Sequence, residues 1–340
     1  MNKFFKTWWQ SLIWEPGDPK LLAGGKIKIA AIGGGTGLST LLSGLKQYSD
    51  DISAIVAVTD DGRSSGKLKQ EFDVLPPGDI RKCISALAYD EKLTSQIFEY
   101  RFKKDSTSLS GHTLGNIWIT ALTKELRSFA KAVEVSSQLF NTAGRIFPAT
   151  LQKVDIGADY GWGQKVFGES KIPRAGKKIA KVFLTKKNVR AYKKAVDAIG
   201  KSDLIIIGPG SLYTSIIPNL LIRGIREAIK KNKSAIKIFV MNCSTERGET
   251  EGYSAEEHIK VLFDHAGKIF DFCLVNNRTI KKTKEYSKLG KINNITTNSN
   301  EISGVKIVSA DIINRSNPLY HNREKLAAVL IKLYQENRKK

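Results

Sequence analysis

The sequence has no long apolar stretch. Its apolar runs are shorter than the roughly 18–20 residues that a membrane-spanning helix needs, so no spanning helix is expected. Near the N-terminus the apolar residues are interrupted by Lys, Gln and Glu, which argues against a secretory signal. These absences predict a cytoplasmic protein.

Cysteine and histidine are scarce. The three cysteines (Cys83, Cys243 and Cys273) are far apart and form no C-x-x-C pair. This pattern argues against a disulfide framework or a zinc cluster and is typical of a reducing compartment. The four histidines include no H-x-x-x-H motif, and His258 and His265 are predicted to lie on a mostly solvated helix.

Acidic residues are few relative to basic ones. The chain has 55 Lys and Arg against 33 Asp and Glu, a net charge of +22, and residues 171–194 contain ten cations and no acid. The electrostatic field of such a basic protein attracts nucleic acid or anionic lipid. No nucleic-acid-binding motif accompanies it, so a solvated face is predicted, with no specific nucleic-acid partner.

Residues 1–25 differ from the rest of the chain. An aromatic stripe at helical spacing is flanked by lysines and followed by a Pro- and Gly-containing linker over 16–25. The stripe consists of Phe4, Phe5, Trp8, Trp9, Leu12 and Ile13. It predicts a peripheral contact with a membrane interface, or docking on the body of the protein or on a partner subunit; both remain open.

From residue 26 to residue 340, strand-like and helix-like segments alternate. "KIKIAAI", "ISAIVAVT", "LIIIG", "IKIFVMN" and "DFCLVNN" are typical of buried strands. Residues 113–140 are predicted to be helical, residues 60–81 to contain a long loop, and about 145–187 to be a β-rich insertion. This alternation predicts an α/β fold with a Rossmann-like, mostly parallel sheet, helices on both faces and the small β-rich insertion.

Two strands run into glycine-rich turns that precede helical patterns. "IAAIGGGTGLST" contains Gly33, Gly34, Gly35, Thr36 and Gly37, and "LIIIGPGSLYTS" contains Gly208, Pro209, Gly210 and Ser211. A helix start after a strand presents N–H groups and a positive dipole end, which suit phosphate. Leu38 replaces the third glycine of G-x-G-x-x-G and no G-K-[S/T] follows, so neither NAD nor ATP is specified.

Polar residues after the second strand complete the candidate site. In "VAVTDDGRSSG", Asp60 is a candidate for ribose or a base edge, Asp61 for a metal ion, and Ser64 and Ser65 for phosphate. The alternative is an Asp-Gly turn capped by hydroxyls. In "PPGDIRK", Asp79 is a candidate N-cap and Arg81 a candidate phosphate ligand.

Two further polar segments belong to the same pattern. "GHTLGN" places His112 and Asn116 near a helix start, and Asn116 is a further candidate ligand for the nucleotide or its phosphates. A lone His at such a place is more often structural than catalytic. "NCSTERGET" is a third polar loop directly after a strand.

In this order, "AIGGGTGLS", "VAVTDDGRSSGKL", "PPGDIR", "GHTLGN", "GPGSLYTSIIPNLL" and "GET" resemble the YvcK/CofD-like family over roughly residues 26–335. The resemblance is greatest to the gluconeogenesis-factor branch. It implies a cytoplasmic, UDP-sugar-binding regulatory protein that supports cell-wall synthesis and cell shape on gluconeogenic carbon sources, with no settled catalytic activity. Cell-wall or cell-shape proteins and a homo-oligomer are the implied partners.

The CofD branch implies an alternative. Its members are 2-phospho-L-lactate transferases of deazaflavin coenzyme biosynthesis that use magnesium and a nucleotide-activated phospholactate. One departure from the family pattern is Arg63, which stands where the family has a second glycine in "TDDGGSSG". If that position needs a positive φ, Arg63 is strained; otherwise it adds a cation near the ligand.

Overall fold

The computed structural model describes residues 27–103, 108–278 and 293–338. The predicted amphipathic segment and linker over residues 1–25 lie outside the described residues. Within the described residues, no helix is long and apolar enough to cross a membrane.

Strands and helices alternate along the described chain. The strands are β1 (Ile29–Gly33), β2 (Ile52–Val56), β3 (Gly144–Pro148), β4 (Ile156–Asp159), β5 (Lys165–Phe167), β6 (Lys181–Leu184), β7 (Leu204–Ile207), β8 (Ile236–Val240), β9 (Phe272–Asn276), β10 (Glu301–Ile302) and β11 (Val305–Ala310). The helices are α1 (Gly35–Leu45), α2 (Arg63–Phe72), α3 (Gly78–Leu87), α4 (Glu91–Phe98), α5 (Leu114–Glu125), α6 (Phe129–Leu139), α7 (Lys193–Lys201), α8 (Ile217–Leu221), α9 (Arg223–Lys231), α10 (Ala255–Ala266) and α11 (Arg323–Asn337).

Eight strands form one sheet in the order β10-β11-β9-β8-β7-β1-β2-β3, in which only the β10–β11 pair is antiparallel. β1 pairs with β2 on one side and with β7 on the other, and Ile32 lies opposite Ile55 and Ile207. Alternate residues of β7 enter different cores: Ile205 belongs to one and Ile206 to the other. Both faces are therefore covered by helices, as parallel sheets require, and the predicted fold is confirmed.

A second sheet, antiparallel and in the order β5-β4-β6, packs against the core that contains Ile205. It forms the β-rich insertion. β3 falls inside the range predicted for that insertion, but it pairs with β2 as the edge of the large sheet. The small sheet itself therefore spans residues 156–184.

Three local predictions were wrong. The segment 113–140 is two helices, because Arg127 has a φ of +48° and the side chain of Ser128 caps the start of α6. The predicted long loop contains the polar helix α2. His258 and His265 are buried on α10, where the ring of His265 accepts a hydrogen bond from the N–H of Val182 (3.1 Å) and ties the small sheet to that helix.

Candidate functional site

The carboxyl ends of β1 and β7 form a crevice at the centre of the large sheet. The chain leaves these neighbouring strands in opposite directions, toward β2 and β3 on one side and toward β8 and β9 on the other. Parallel α/β sheets bind ligands outside the carboxyl ends of strands at such a switch point. Both predicted glycine loops meet here, where Gly208 N–H donates to Ile32 O (2.8 Å).

A cavity of about 340 Å³ opens between the two glycine loops. Gly34–Gly37, Gly210, Ser211 and the loop after β8 line it, together with Arg247 and Tyr320, which sequence reasoning missed. Its volume is at the lower end of those of ligand sites. A larger cavity of about 870 Å³ lies at the amino ends of β1–β3 against α6 and α7 and is lined by none of the predicted site residues.

The first loop needs glycine for two different reasons. Gly35 has a φ of +66°, which side chains rarely adopt, and a Cβ there would come no closer than 3.7 Å to another residue. At Gly37 a Cβ would lie 2.6 Å from the carbonyl oxygen of Pro209 in the second loop. Gly35 therefore serves the turn, whereas Gly37 lets the two loops touch.

Asp79 occupies the start of α1. Its Oδ2 accepts a hydrogen bond from Gly35 N–H (2.7 Å), and its Oδ1 from Lys82 Nζ (3.1 Å). A Cβ at Gly34 would lie 2.8 Å from the same carboxylate, so glycine at this position leaves room for the Asp79 side chain. Asp79 lies in the first turn of α3 but is not its N-cap. A carboxylate of the chain thus already satisfies one N–H group that was expected to meet phosphate.

The second loop is held by a side-chain amide. Gly208 and Gly210 have φ values of +80° and +152°. Asn242 accepts from Gly210 N–H (3.1 Å) and donates to Gly210 O (3.0 Å). The chain then makes a π-helical turn over Leu212–Ile216 before α8, where a regular helix had been expected directly after Ser211.

Two buried glutamates of the "NCSTERGET" loop satisfy this second helix start. Glu249 accepts from Tyr213 N–H (3.2 Å) and from Thr214 Oγ1 (2.9 Å), and Glu246 accepts from Ser211 Oγ (3.0 Å). Burial raises the pKa of both carboxyls, and the charge of Glu246 raises that of Glu249 further. Both glycine loops are therefore bound to acids from the chain itself.

A third group of acids lies at the same edge. Burial and the neighbouring charge of Asp79 raise the pKa of Asp60, whose Oδ1 accepts from Gly62 N–H (2.8 Å) and so forms the Asp-Gly turn. Glu169, from the small sheet, accepts a hydrogen bond from Thr59 Oγ1 (3.3 Å). Burial, then the charges of Asp60 and Asp79, hold the pKa of Glu169 well above its usual value.

Asp61 connects the edge of the large sheet to the insertion. Its Oδ1 accepts from Ser170 N–H (2.8 Å). Gly168 has a φ of +103°, and a Cβ there would clash with Asp61 Oδ2. Asp61, the candidate metal ligand, therefore stabilises the turn that carries Glu169. The backbone of Arg63 is helical, as the first residue of α2, so the positive φ that would have strained it does not occur.

Ser64 and Asn116 meet in a buried network. Asn116 Nδ2 donates to Ser64 Oγ (3.0 Å), which contacts His112 Nδ1 (3.0 Å). Burial lowers the pKa of His112. A neutral ring with Nδ1 as acceptor satisfies the Ser64 hydroxyl, which in turn accepts from Asn116 Nδ2, so His112 is structural. Ser65 lies beside Asp60 and hydrogen-bonds to it.

Arg81 is the buried cation nearest to this network. It is 4% exposed and pairs through Nη2 with Glu99 (3.0 Å). Its Nε and Nη1, like Asn116 Oδ1, have no hydrogen-bond partner among the described residues. Burial lowers its pKa. Arg81 and Asn116 therefore retain polar atoms that a ligand or ordered water can satisfy.

The acids at this edge bear on the predicted magnesium. Among the described residues, no group of three or more His, Cys, Asp or Glu side chains is arranged to hold a metal ion. Magnesium is commonly held by only one or two carboxylates together with substrate phosphates. Asp60 and Glu169 are the side chains that fit such a partial site, which would neutralise phosphate charge beside the carboxylates.

Comparisons with known proteins identify the family of the chain. Residues 29–313 match the family model described as 2-phospho-L-lactate transferase CofD. The chain is 41% identical over 318 residues to the gluconeogenesis factor of Bacillus subtilis (strain 168), covering 92% of this chain and 100% of that protein. It is 39% identical over 312 residues to the gluconeogenesis factor of Halalkalibacterium halodurans, covering 90% and 96%.

Two solved structures share the fold. A crystal structure of protein BH3568 from Bacillus halodurans has a TM-score of 0.86 at 40% identity and covers 90% of this chain and 100% of that one. A second, described as a member of the UPF0052 family, has a TM-score of 0.84 at 40% identity and covers 90% and 99%. The resemblance carried by the six sequence motifs is confirmed, and the chain belongs to the CofD family, together with the gluconeogenesis factors that it resembles.

Proposed function

We propose that this protein is a gluconeogenesis factor that acts by binding a UDP-sugar such as UDP-N-acetylglucosamine. In this proposal it is a cytoplasmic regulator of cell-wall synthesis and cell shape, and its partners are the proteins of those processes and further copies of itself. The names of its relatives support its assignment as a gluconeogenesis factor. The choice of ligand rests on one observation, the cavity between the two glycine loops at the switch point of the sheet.

The lining of the cavity suits the parts of a UDP-sugar. Arg247 is an exposed cation at the cavity and would pair with the diphosphate. Tyr320 is 43% exposed and offers a ring on which a base can stack. Thr36, Ser211 and Ser215 add short polar side chains on the walls between them.

Glu246 is among the residues that line the same cavity. Because burial raises its pKa to about 7, a substantial fraction of this carboxyl is protonated near neutral pH. Its Oε2 has no hydrogen-bond partner among the described residues. A protonated carboxyl can donate to a phosphate oxygen, whereas the ionised form repels it. The affinity for a diphosphate should therefore rise as the pH falls through 7.

The experiment is a calorimetric titration with UDP-N-acetylglucosamine. Arg247→Gln should weaken binding about ten- to a hundred-fold, since one charge-assisted hydrogen bond is worth about 1.5–3 kcal/mol. Arg223→Gln is the matched control, because Arg223 is also exposed but pairs with Glu227 on α9. Unchanged affinity in Arg247→Gln would place the ligand elsewhere, and no binding of any UDP-sugar would contradict the proposal.

The second candidate is a magnesium-dependent transferase of the CofD type. The acids Asp60, Asp79 and Glu169 at the same edge favour it, because their negative charge disfavours an anion unless a cation such as magnesium is bound with it. It predicts product from a nucleotide-activated phospholactate and a deazaflavin acceptor only when magnesium is present. Asp60→Asn should abolish that product, whereas no product from the wild type would leave the binding protein as the function.

A further inference from the structure

The outer face of the small sheet carries two aromatic rings. Gly157, in the central strand β4, lies opposite Phe167 on β5 and Phe183 on β6. The two rings meet edge to face across this glycine with centroids 5.9 Å apart. A Cβ at Gly157 would lie 2.6 Å from the ring of Phe183, so the glycine makes room for the pair. Phe167 is 53% exposed.

Lysines flank these rings. In the next row of the sheet, Asp159 lies between Lys165 and Lys181. Residues two apart in a strand share a face, so both lysines lie on the same side as the two phenylalanines. Lys165 Nζ lies 5.7 Å from the ring centroid of Phe183. The opposite face of the small sheet, with Ile156 and Val182, is buried in the core.

Trp162 stands at the tip of the hairpin between β4 and β5. It is fully exposed, between Gly161 and Gly163, and itself has a φ of +54°. Large aromatic side chains are usually well buried, whereas Trp162 is fully exposed among the described residues. The hairpin tip that carries it joins β4 and β5, two strands of the aromatic and basic outer face.

We propose that this surface, formed by Trp162, Lys165, Phe167, Lys181 and Phe183, docks on anionic lipid headgroups at a membrane interface. Tryptophan is favoured at the boundary between headgroups and acyl chains. Lysines near an anionic membrane contribute about 1 kcal/mol each, and their stems lie along apolar surface.

The positive charge around the surface fits an anionic membrane as the partner. From residue 163 to residue 194 the only acid in the sequence is Glu169. That carboxyl accepts a hydrogen bond from Thr59 in the crevice. On the outer face itself, Asp159 lies between Lys165 and Lys181 and offsets one of their two charges, which leaves this face with a net positive charge. A single-stranded nucleic acid would instead need a groove lined with stacking platforms. Here the rings of Phe167 and Phe183 pack on each other, and Trp162 is a single exposed ring at the hairpin tip, an arrangement that suits insertion into an interface.

The test places an environment-sensitive fluorophore on Trp162→Cys in the full chain. The three native cysteines are 0% exposed, so the label goes to the introduced thiol. With vesicles of about 30% phosphatidylglycerol in phosphatidylcholine, the emission should shift to the blue, and it should not with phosphatidylcholine alone. Leu139→Cys, on α6 at a residue 61% exposed, is the matched control and should show no shift.

Affinity measurements complete the design. Trp162→Ala should weaken sedimentation with the anionic vesicles about ten-fold, since its partial burial is worth about 1.5 kcal/mol. Lys165→Gln combined with Lys181→Gln should weaken it more than ten-fold. An unshifted label on protein that sediments would overturn the proposal and assign the contact to another part of the chain. A shift with a single-stranded oligonucleotide but not with vesicles would also overturn it.

Discussion

The buried carboxyl of Glu249 should make the protein less stable as the pH rises. It is held against Tyr213 N–H and Thr214 Oγ1, and burial with the neighbouring charge of Glu246 raises its pKa from 4.5 to about 8. Between these values the folded chain keeps a proton that the unfolded chain has lost, so stability falls with increasing pH. From pH 6.5 to pH 8.5 the loss should be about 2 kcal/mol.

The assay is urea unfolding at pH 6.5 and pH 8.5, a window above the usual pKa of histidine, so the buried histidines contribute little. Glu249→Gln should lose most of this dependence and should exceed the wild type in stability at pH 8.5. Its amide oxygen can accept from Tyr213 N–H, while its NH₂ faces Thr214. Glu251→Gln, exposed in the same loop, should follow the wild type. Equal slopes in the wild type and Glu249→Gln would refute the reasoning.

Two further predictions follow from the packing, and a third follows from the sequence of residues 1–25. Gly37→Ala should destabilise the fold by about 1–3 kcal/mol and weaken nucleotide binding, because the methyl group would press on the backbone of the second loop. The control is Gly200→Ala on α7, which should be neutral or stabilising because a methyl group there would meet open space. Equal effects of the two substitutions would contradict the contact between the loops. Ser64→Ala should cost about 1–3 kcal/mol in urea unfolding by leaving two buried partners unpaired. Deleting residues 1–24 should leave nucleotide affinity within a few-fold and reduce sedimentation with anionic vesicles; a chain that no longer folds would contradict it.

The main sheet was predictable because its strands are nearly continuous apolar runs. "LIIIG" and "IKIFV" have no polar face, which indicates burial on both sides, and the glycine turns mark where two strands end. The order of the strands was not predictable in detail. β3 has an exposed Arg145 and a half-buried Phe147, so its pattern suited an insertion as well as an edge strand.

The gathering of loops at one edge was also predictable, but the partners of their N–H groups were not. Asp79 and Gly35 are 44 residues apart, and Tyr213 and Glu249 are 36 apart. Only the fold brings such pairs together. From the sequence alone, Gly35→Val would test whether a ligand approaches the backbone. Because Gly35 has a φ of +66°, valine would strain the loop with or without a ligand, so this substitution does not isolate a contact with the ligand.

The glycine loops therefore do not by themselves make an anion site. One N–H at the start of α1 and one at the second junction already donate to Asp79 and Glu249. A diphosphate in this crevice must gain its affinity from the remaining polar groups and from a counter-charge. Two sources of that charge lie at the edge, the cation of Arg247 and a proton on Glu246, and magnesium held through Asp60 and Glu169 would be a third. The first two suffice for a protein that only binds its ligand, whereas a phospho-group transferase needs the third, because charge develops on the transferred group. The dependence of binding on magnesium at constant pH thus separates the two functions that this family fold can support.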